Sequence, residues 1–462
     1  MSKIHYIRLV ILCKMNTKGV SEATTDDRIT RVFEPVSLYP VVALRLGFGA
    51  SMALWTLYMV FSGAVNDLFI TPDFHFSYPG FEWVRPLPDS LIYVAFGVLF
   101  VSSIMLFAGW HFRWASWIFT LVFAYVTLMD KASYLSYYYF VLLLGFMLSL
   151  SPAHRLFSID LIRKPSIRVD YVPFWLVLAF KVQVALVFIS AGMAKLNVDW
   201  LFKGMPVNIW IKDLAEQGFS FLNAASEGSF PIVIAWILIT FDFVIPHFLL
   251  DKRTSKGAFL LVVLMQILAL FVFQAGFFPV LIAFSCLVFL PEDFVHRFLS
   301  RVSYFLYDVF DFRGDVFNQG GSIMLQFRKK KVFPVLLAVF FSLQILIPVA
   351  LFLNWGSRRW ADSAFRFSWD IRMHEKTGKV EFFLQDENNG SSATIPMNDY
   401  LTGHQIRMMA EDPDMIRQFA EFLLKQNAAN HNIKIHANAS VSLNGRPPEL
   451  LVQDSWSGTD TE

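Results

Sequence analysis

A single lysine stands where a long apolar segment meets polar sequence, and its position allows two kinds of chemistry. The segment begins near Pro173 and ends at Lys195, which is followed by Leu196-Asn197-Val198-Asp199-Trp200. The small residues before the lysine, which would let neighbouring helices approach closely, are Ser190, Ala191, Gly192 and Ala194. Lys195 is therefore either an anchor that reaches for lipid headgroups or a buried amine that loses proton affinity and can act as a base.

Other polar side chains are expected near the same outer face of the membrane. One apolar segment ends at Asp130-Lys131, and a later segment carries Gln266 deeper and Gln274 nearer the outside. The hydroxyl groups that open the segment after Asp130 belong to Ser133, Tyr134, Ser136, Tyr137 and Tyr138. The tyrosines suit either a polar site or an interfacial aromatic belt. Arg45 and Asp242 lie inside apolar segments, where a charge marks either a functional site or a structural ion pair.

No motif of a soluble enzyme class accompanies these residues. The sequence contains no G-x-S-x-G, Walker loop or H-E-x-x-H motif, and its ten histidines are scattered, so we do not expect a metal site. The formal net charge of +2 gives no reason to expect nucleic acid as a partner. A membrane-embedded amine near phenols and a carboxylate suits base chemistry on a lipophilic molecule such as a quinol.

The composition predicts that these residues are held by a bundle of membrane helices. Of the 462 residues, 55% are hydrophobic and 16% are charged, whereas a soluble domain is usually about one quarter charged. The two cysteines, Cys13 and Cys286, lie in a polar tail and an apolar run, so no disulfide framework is expected. A span needs about 20 apolar residues. The candidate segments are 38–62, 90–109, 113–129, 134–151, 173–195, 229–250, 257–274, 277–291 and 332–354.

The distribution of basic residues predicts the orientation of the chain. Arginine and lysine are concentrated in the N-terminal tail and in the loops that share its side of the membrane. We therefore expect a cytoplasmic tail at 1–36, a transmembrane domain of about eight or nine spans at 37–354, and a small α+β extracytoplasmic domain at 355–462. The fold class is then mainly α, a polytopic bundle in the inner (plasma) membrane with its C-terminal domain periplasmic or extracellular.

Residues 355–462 have the patterns of a small soluble domain. A hairpin is predicted at Gly378, between strand-like segments 365–373 and 379–384. A helical stretch over 402–426 contains Asp412-Pro413, which should break it. Further expected features are strands at 392–396, 433–437 and 440–443, a turn at Asn444-Gly445, and glycosylation sequons at 389–391 and 438–440.

Six stretches in order resemble the vitamin K-dependent gamma-glutamyl carboxylase family, in its bacterial form with a horizontally transferred transmembrane domain. The most distinctive is Ala191-Gly192-Met193-Ala194-Lys195-Leu196-Asn197-Val198-Asp199-Trp200. A second is Asp130-Lys131 with Tyr134-Leu135-Ser136-Tyr137-Tyr138-Tyr139-Phe140. The other four are 78–83 with 86–88, 275–279, 367–373 and 444–447. The resemblance covers about residues 37–454.

The resemblance implies a membrane enzyme in which Lys195, by its motif position, takes a proton from reduced vitamin K or a related quinol. Dioxygen oxidises the quinol to its epoxide, and the strong base formed removes a γ-proton from a peptide glutamate, which takes up carbon dioxide. The external domain would hold the glutamate-containing peptide, and the lipid bilayer would surround the helices. The residues expected to bind the quinol are Asp130, Tyr137, Tyr138, Gln266 and Trp200.

The sequence departs from the family pattern at positions that bear on the reaction. Family members usually have histidine at Tyr137 and at Gln266, and asparagine at Ser136. Histidine titrates near neutral pH, whereas tyrosine and glutamine only form hydrogen bonds there. Three functions therefore stay open: glutamate carboxylation, quinol epoxidation without carboxylation, and a non-catalytic membrane protein whose external domain binds a partner.

Overall fold

The computed structural model describes residues 32–226, 228–272, 276–310, 332–353, 375–386, 391–427 and 433–457. Some predicted features lie outside these residues, namely most of the 1–36 tail with Cys13, Gln274, the strand at 365–373 and most of the sequon at 389–391. The described part is mainly α-helical and has a sheet in its C-terminal region. The predicted domain boundaries at residues 36 and 354 stay a prediction.

The N-terminal region consists mainly of apolar helices. In chain order they are α1 (Tyr39–Phe61), α2 (Asp89–Ala108), α3 (Phe112–Met129), α4 (Ser136–Leu150), α5 (Ile159–Arg163), α6 (Phe174–Ala194), α7 (Val198–Lys203), α8 (Val207–Glu216), α9 (Phe230–Leu250), α10 (Ser255–Val272), α11 (Phe278–Ser285), α12 (Glu292–Phe310) and α13 (Val332–Leu353). Every predicted apolar segment overlaps one of these helices. Those long and apolar enough to cross a membrane are α1, α2, α3, α6 and α9.

The predicted total of eight or nine spans is not confirmed. α11 continues as a 3₁₀ turn to Phe289 and then bends by 110° into α12, so this pair adds at most a sixth span. α4 has 15 residues, and its length of about 22 Å at 1.5 Å per residue is short for a hydrocarbon core of about 30 Å. Within the described residues, the apolar stretches of α10 and α13 are Ser255–Phe271 and Pro334–Leu346, and neither is counted among the five spans.

α1 is the central helix of the described bundle. Most of its residues are buried, and it contacts α2, α6 and α11. A Cβ atom at Gly49 would lie 2.6 Å from the backbone nitrogen of Phe107, so this glycine lets α1 and α2 cross closely. In contrast, α2 and α9 expose large apolar side chains such as Val94 and Trp236. Such outward apolar surface suits contact with lipid.

A short ribbon aligns two of the helices. β1 (Pro35–Ser37) pairs antiparallel with β2 (Tyr171–Pro173), and these strands lead directly into α1 and α6. The two helices therefore begin on the same side of the bundle. Lys195 follows the last residue of α6, so it stands at the side opposite to this ribbon.

The C-terminal region is an antiparallel sheet covered by two helices. The strand order is β4–β3–β5–β6. The elements are β3 (Lys376–Asp386), β4 (Ser392–Thr394), α14 (Gly403–Met409), α15 (Pro413–Gln426), β5 (Ile433–Leu443) and β6 (Glu449–Ser457). Alternate residues of β5 are buried, as period-2 strand geometry requires. They pack with Phe382 and Phe419, and Phe76 from the loop between α1 and α2 joins the same core.

Two details of the predicted sheet are wrong. Gly378 is not a turn but lies inside β3, where it pairs with Val441. Its Cβ atom would lie 2.5 Å from the carbonyl oxygen of Ala410, so the glycine permits a close approach of strand and helix. The predicted strands at 433–437 and 440–443 form the single strand β5, with a register shift against β6 after Ala439.

The local breaks in this region are confirmed. α14 and α15 are separated at Asp412, whose side chain caps α15 by accepting from the backbone nitrogens of Asp414 and Met415. Asn444 and Gly445 form the turn between β5 and β6 with φ values of 53° and 71°. Those left-handed values suit asparagine and glycine at the centre of a tight turn, which the backbone nitrogen of Arg446 closes by donating to the carbonyl of Leu443 at 3.1 Å.

Candidate functional site

The side chain of Lys195 is folded back into the protein. Lys195 caps the C-terminal end of α6, and its Nζ donates to Oδ2 of Asp242 on α9 at 2.5 Å. It also donates to the carbonyl oxygen of Ala191 at 3.3 Å. The Lys195 and Asp242 side chains are 10% and 12% exposed. Because few water molecules can reach either group, each depends on the other for neutralisation.

Gly192 lets the two helices that carry this pair approach. A Cβ atom at residue 192 would lie 3.2 Å from the Cβ of Asp242 and 3.0 Å from the ring of Phe243. These distances are tighter than ordinary side-chain contacts, so a larger residue would push α9 away from α6. The small residue before Lys195 therefore helps to set the separation of Lys195 and Asp242.

Trp200 forms an aromatic wall beside the amine. Its side chain is fully buried, and the Nζ of Lys195 lies 5.4 Å from its ring centroid. Trp200 also meets Trp210 of α8 edge to face at 5.7 Å. Asn197 caps α7 by accepting from the backbone nitrogen of Trp200 at 3.2 Å, which fixes the start of this short helix. The structure thus brings together Lys195 and Trp200, two of the predicted site residues.

Asp199, next to Trp200, connects α7 to the C-terminal region. Its Oδ2 accepts from the amide nitrogen of Asn444 at 3.0 Å and from the guanidinium of Arg446. Its Oδ1 lies 3.3 Å from the Nζ of Lys203, one turn along α7. Burial alone would raise the pKa of Asp199, but the hydrogen bonds from Arg446, Asn444 and Lys203 lower it to about 2. Asp199 is therefore a carboxylate at neutral pH.

Asp130 lies at a second junction with the C-terminal region. Its Oδ1 accepts from the backbone nitrogens of Phe76 and Ala132, at 3.2 and 2.9 Å. Its Oδ2 accepts from the side-chain amide of Gln405 on α14 at 3.0 Å. Burial raises the pKa of Asp130, although the hydrogen bond from the Ala132 nitrogen opposes this. These contacts give Asp130 a docking role, and its expected contact with a quinol stays a prediction.

Lys131 belongs to the same junction. Its fully buried side chain reaches Asp412 at 3.0 Å and Asp414 at 2.6 Å, at the start of α15. Nearby, the amide of Gln418 exchanges hydrogen bonds with the backbone nitrogen and carbonyl of Ser77. The Asp130-Lys131 motif thus fastens the C-terminal region to the membrane region.

Tyr137 and Tyr138 lie in an aromatic cluster inside the bundle, where both are buried. Their rings meet edge to face at 4.9 Å, and Tyr137 also packs against Phe278 at 5.9 Å. Tyr138 meets Trp55 of α1 at 5.7 Å. This cluster belongs to the main core of the bundle, whereas Trp200 belongs to a smaller core around α7, α8 and α9. The tyrosines are therefore brought together with each other rather than placed in the Trp200 core.

The other polar residues singled out in the spans have separate locations. Gln266 is half-buried on α10. A further polar residue of the spans, Gln183, exchanges two side-chain hydrogen bonds of 3.0 Å with Gln344 and so joins α6 to α13. Arg45 donates to the carbonyl oxygen of Ala153 at 2.8 Å and to the carbonyl oxygens of Leu156 and Phe157. Arg45 and Asp242 therefore have different partners.

A large apolar cavity lies away from Lys195. It has a volume of about 750 Å³ and is lined by the first half of α1, the end of α2 and the bent pair α11–α12. Ala43, Phe107 and Phe294 are among its walls. Because α1 begins beside the ribbon, this cavity is in the half of the bundle opposite to Lys195. Within the described residues, no group of three or more His, Cys, Asp or Glu side chains could hold a metal ion.

Sequence reasoning missed two connections of the Lys195 region. Asp242 was recognised as an intramembrane charge but not as the partner of Lys195, which is 47 residues earlier. The bond from Arg446 to Asp199 spans 247 residues and had no signal beyond two separate motifs. Both pairings depend on tertiary packing, which hydropathy patterns do not encode.

Two family matches cover most of the chain. Residues 33–294 match the HTTM domain. Residues 329–457 match the family described as vitamin K-dependent gamma-carboxylase, lumenal domain. The first match includes Lys195, Asp242 and Trp200, and the second includes Asn444 and Arg446. No solved structure matches the chain.

Proposed function

This chain belongs to the vitamin K-dependent gamma-carboxylase family, and we propose that it is a multi-pass membrane enzyme that oxidises a reduced quinone to its epoxide and carboxylates peptide glutamate. Reduced vitamin K or a related quinol, dioxygen and carbon dioxide are the proposed reactants. The observation that carries the proposal is the buried pair of Lys195 and Asp242 beside Trp200.

The pair supplies a proton-binding unit in apolar surroundings. The Nζ of Lys195 and the Oδ2 of Asp242 lie 2.5 Å apart, so the charge of each group acts directly on the other. In this proposal Asp242 takes the proton of the ion pair, and the neutral amine of Lys195 then receives the hydroxyl proton of the quinol. The contact with Asp242 also holds the amine in place. The bond to the carbonyl of Ala191 fixes the direction of the lysine side chain.

The surroundings of the pair are aromatic. The fully buried Trp200 backs the amine, the half-buried Phe243 lies beside Gly192, and the Lys195 and Asp242 side chains stay 10% and 12% exposed. These residues are the proposed contacts of the quinol, since an apolar wall with few polar groups is typical of small-molecule sites. When bound, a quinol supplies the reducing equivalents for dioxygen and the strong base that removes the glutamate γ-proton.

The C-terminal region is the proposed peptide-binding domain. It contacts the bundle through Asp199 and Lys131, on the side where α6 ends and Lys195 lies. We place this side outside the cytoplasm, because basic residues are concentrated in the tail and the opposite loops. The base and the peptide would then face the same periplasmic or extracellular compartment of the plasma membrane.

A second candidate is quinol epoxidation without carboxylation. The observation that favours it is the burial of Tyr137 in a cluster of aromatic rings, at a position where the family usually has histidine. A neutral phenol there hydrogen-bonds but does not shuttle protons near pH 7. Loss of that group would spare the step at Lys195 while affecting a later proton transfer.

One experiment separates these functions. Membranes containing the protein are incubated with chemically reduced vitamin K, dioxygen, labelled bicarbonate and a glutamate-containing peptide. Epoxide together with labelled peptide supports carboxylation, and epoxide alone supports the second candidate. Membranes that produce neither product, with several quinones tested, contradict the proposal and favour a non-catalytic binding protein.

A further inference from the structure

We propose that the turn between β5 and β6 is a positioning device for Lys195. It would hold Trp200 against the amine through Asp199, so that the base is in place only when the C-terminal region is docked. This inference rests on the proposed role of Lys195 as the base. It assigns positioning roles to Arg446, Asn444 and Asp199, which lie outside the contacts of the amine itself.

α7 is too short to hold its position without contacts from other elements. The helix has six residues, which is well below the length of about 12 to 15 at which an isolated helix becomes marginally stable. Its position therefore depends on contacts made by its side chains. Trp200 contributes a buried aromatic contact with Trp210, and Asn197 supplies the cap at the helix start. Asp199 is the residue through which the C-terminal region holds this helix.

The turn between β5 and β6 has stabilising hydrogen bonds of its own. The backbone nitrogen of Asn444 donates to the carbonyl of Glu375 at 2.7 Å, and its side-chain oxygen accepts from the Glu375 nitrogen at 2.9 Å. The hydroxyl of Ser442 donates to the carbonyl of Arg446 at 2.6 Å. Asn444 and Arg446 are thus held by Glu375 and Ser442, independently of their bonds to Asp199. A turn that is already rigid can fix the position of Asp199 at little cost in conformational entropy.

The turn is connected to the amine through only two neighbouring residues, Asp199 and Trp200. Arg446 and Asn444 bind one oxygen of Asp199, and Trp200 is the next residue in the chain. The ring of Trp200 lies beside the Nζ of Lys195. Any displacement of α7 would therefore move the wall against which the amine rests. Because the Asp199 side chain is buried, loss of its cationic partner would leave a carboxylate with few water contacts.

Lys203 offers a matched control for Arg446. Both are cations that contact Asp199, but Lys203 belongs to α7 itself and its side chain is 54% exposed. Removing Lys203 takes one cationic partner from Asp199 but leaves the bonds between α7 and the turn in place. Gln418 provides a second control, because it joins the two regions through Ser77 and not through α7.

The test measures quinol epoxidation without peptide and, separately, the reactivity of the Lys195 amine. Purified full-length protein carries Arg446→Gln, Arg446→Lys, Lys203→Gln or Gln418→Ala. The reactivity of Lys195 is measured by reductive methylation with formaldehyde and a borane. Mass spectrometry quantifies the methylated fraction of Lys195 relative to that of the exposed Lys212. We expect Arg446→Gln to lower kcat at least about tenfold and to raise Lys195 methylation several-fold, since small displacements of a catalytic group are costly. Arg446→Lys should restore part of the kcat and should lower the methylation of Lys195 part of the way to the parent level.

The controls decide whether the effect belongs to the turn. Lys203→Gln and Gln418→Ala should stay within about twofold of the parent in both measurements, as expected for exposed or remote contacts. If Arg446→Gln raises only the KM for a glutamate peptide, and leaves kcat and methylation unchanged, the turn serves docking alone and the inference is overturned. Equal losses in Lys203→Gln would also overturn it.

Two further outcomes keep the test decisive. If Arg446→Gln does not fold, Asp199→Asn takes its place, because it removes the charge and keeps the shape of the side chain. If the parent protein shows no epoxidation, the proposed function fails by itself, and the methylation of Lys195 alone then decides the positioning role.

Discussion

Asp242→Asn is the substitution that most clearly separates a buried ion pair from an incidental contact. It keeps the size of the side chain and removes the charge that faces Lys195 at 2.5 Å. The amine would then lie in apolar surroundings with a neutral amide and the carbonyl of Ala191 as its partners. We expect both the stability of the bundle and quinol epoxidation to fall.

The expected size of the stability loss follows from the burial of the pair. Two unit charges at 2.5 Å attract each other by about 7 kcal/mol at an effective dielectric constant of 20, before the cost of desolvation. Removing one partner of a buried pair costs about 3–5 kcal/mol in measured cases. The residual exposure of Lys195 and Asp242 puts the expected loss near the lower end of that range. Epoxidation should fall about 100-fold or more, because Asp242 fixes the position of the base.

A double-mutant cycle measures the coupling between the two residues. Thermal unfolding in detergent is compared for Asp242→Leu, Lys195→Met and the double variant, next to the parent protein. The double variant should be more stable than either single variant, because two apolar side chains of similar size can replace a buried ion pair at little cost. Additive losses, or an Asp242→Asn variant as stable and active as the parent, would refute the buried pair.

Three further predictions concern packing and titration. Gly192→Ala should push Phe243 and α9 outward and lower epoxidation about tenfold or more, measured at unchanged protein level in membranes. Gly378→Ala should destabilise the C-terminal region by about 1–3 kcal/mol in thermal unfolding, whereas Gly403→Ala, which has open space, should not. Burial raises the pKa of Glu411 to about 7, so the folded state binds this proton more tightly than the unfolded state. Stability should therefore fall as pH rises from about 4.5 through 7, and Glu411→Gln should remove that pH dependence; a parent protein that grows more stable over this range would contradict the sign.

The membrane helices could be predicted from hydropathy, but not the number of spans. The segments over α1, α2, α3, α6 and α9 are long apolar runs, and the structure confirms their helices. The segment at 277–291 has the same composition, yet it bends by 110° after Phe289. Pro291 follows the 3₁₀ turn there, and such a change of direction depends on what the next helix packs against.

The sheet of the C-terminal region was predicted where local signals were strong. The turn at Asn444-Gly445 and the helix break at Asp412 follow from residue types that favour those conformations. Gly378 gave a false turn signal, because its glycine is required by the approach of Ala410 rather than by backbone conformation. The strand β6 was not predicted, since its sequence lacks a clear alternation of apolar and polar residues.

The site could be located from sequence only in part. The motif around Lys195 identified the residue, and the preceding small residues indicated close helix packing. Its partner Asp242 and the connection through Asp199 arise from contacts between distant segments. A single sequence carries no distance information of that kind. The contacts of Asp130 and Lys131 with the C-terminal region had no signal in their motif either, and the expected contact of Asp130 with a quinol stays a prediction.

The most direct test of the central claim compares two lysines of the same segment. Lys195→Met removes the proposed base. Lys181→Met removes a lysine in the first half of α6, whose Nζ lies 5.8 Å from the ring centroid of Phe289. Both variants are assayed for epoxide formation from reduced vitamin K in membranes, at matched protein levels. We expect Lys195→Met to abolish epoxide formation and Lys181→Met to retain it. Undiminished epoxide formation by Lys195→Met would contradict the assignment of Lys195 as the base.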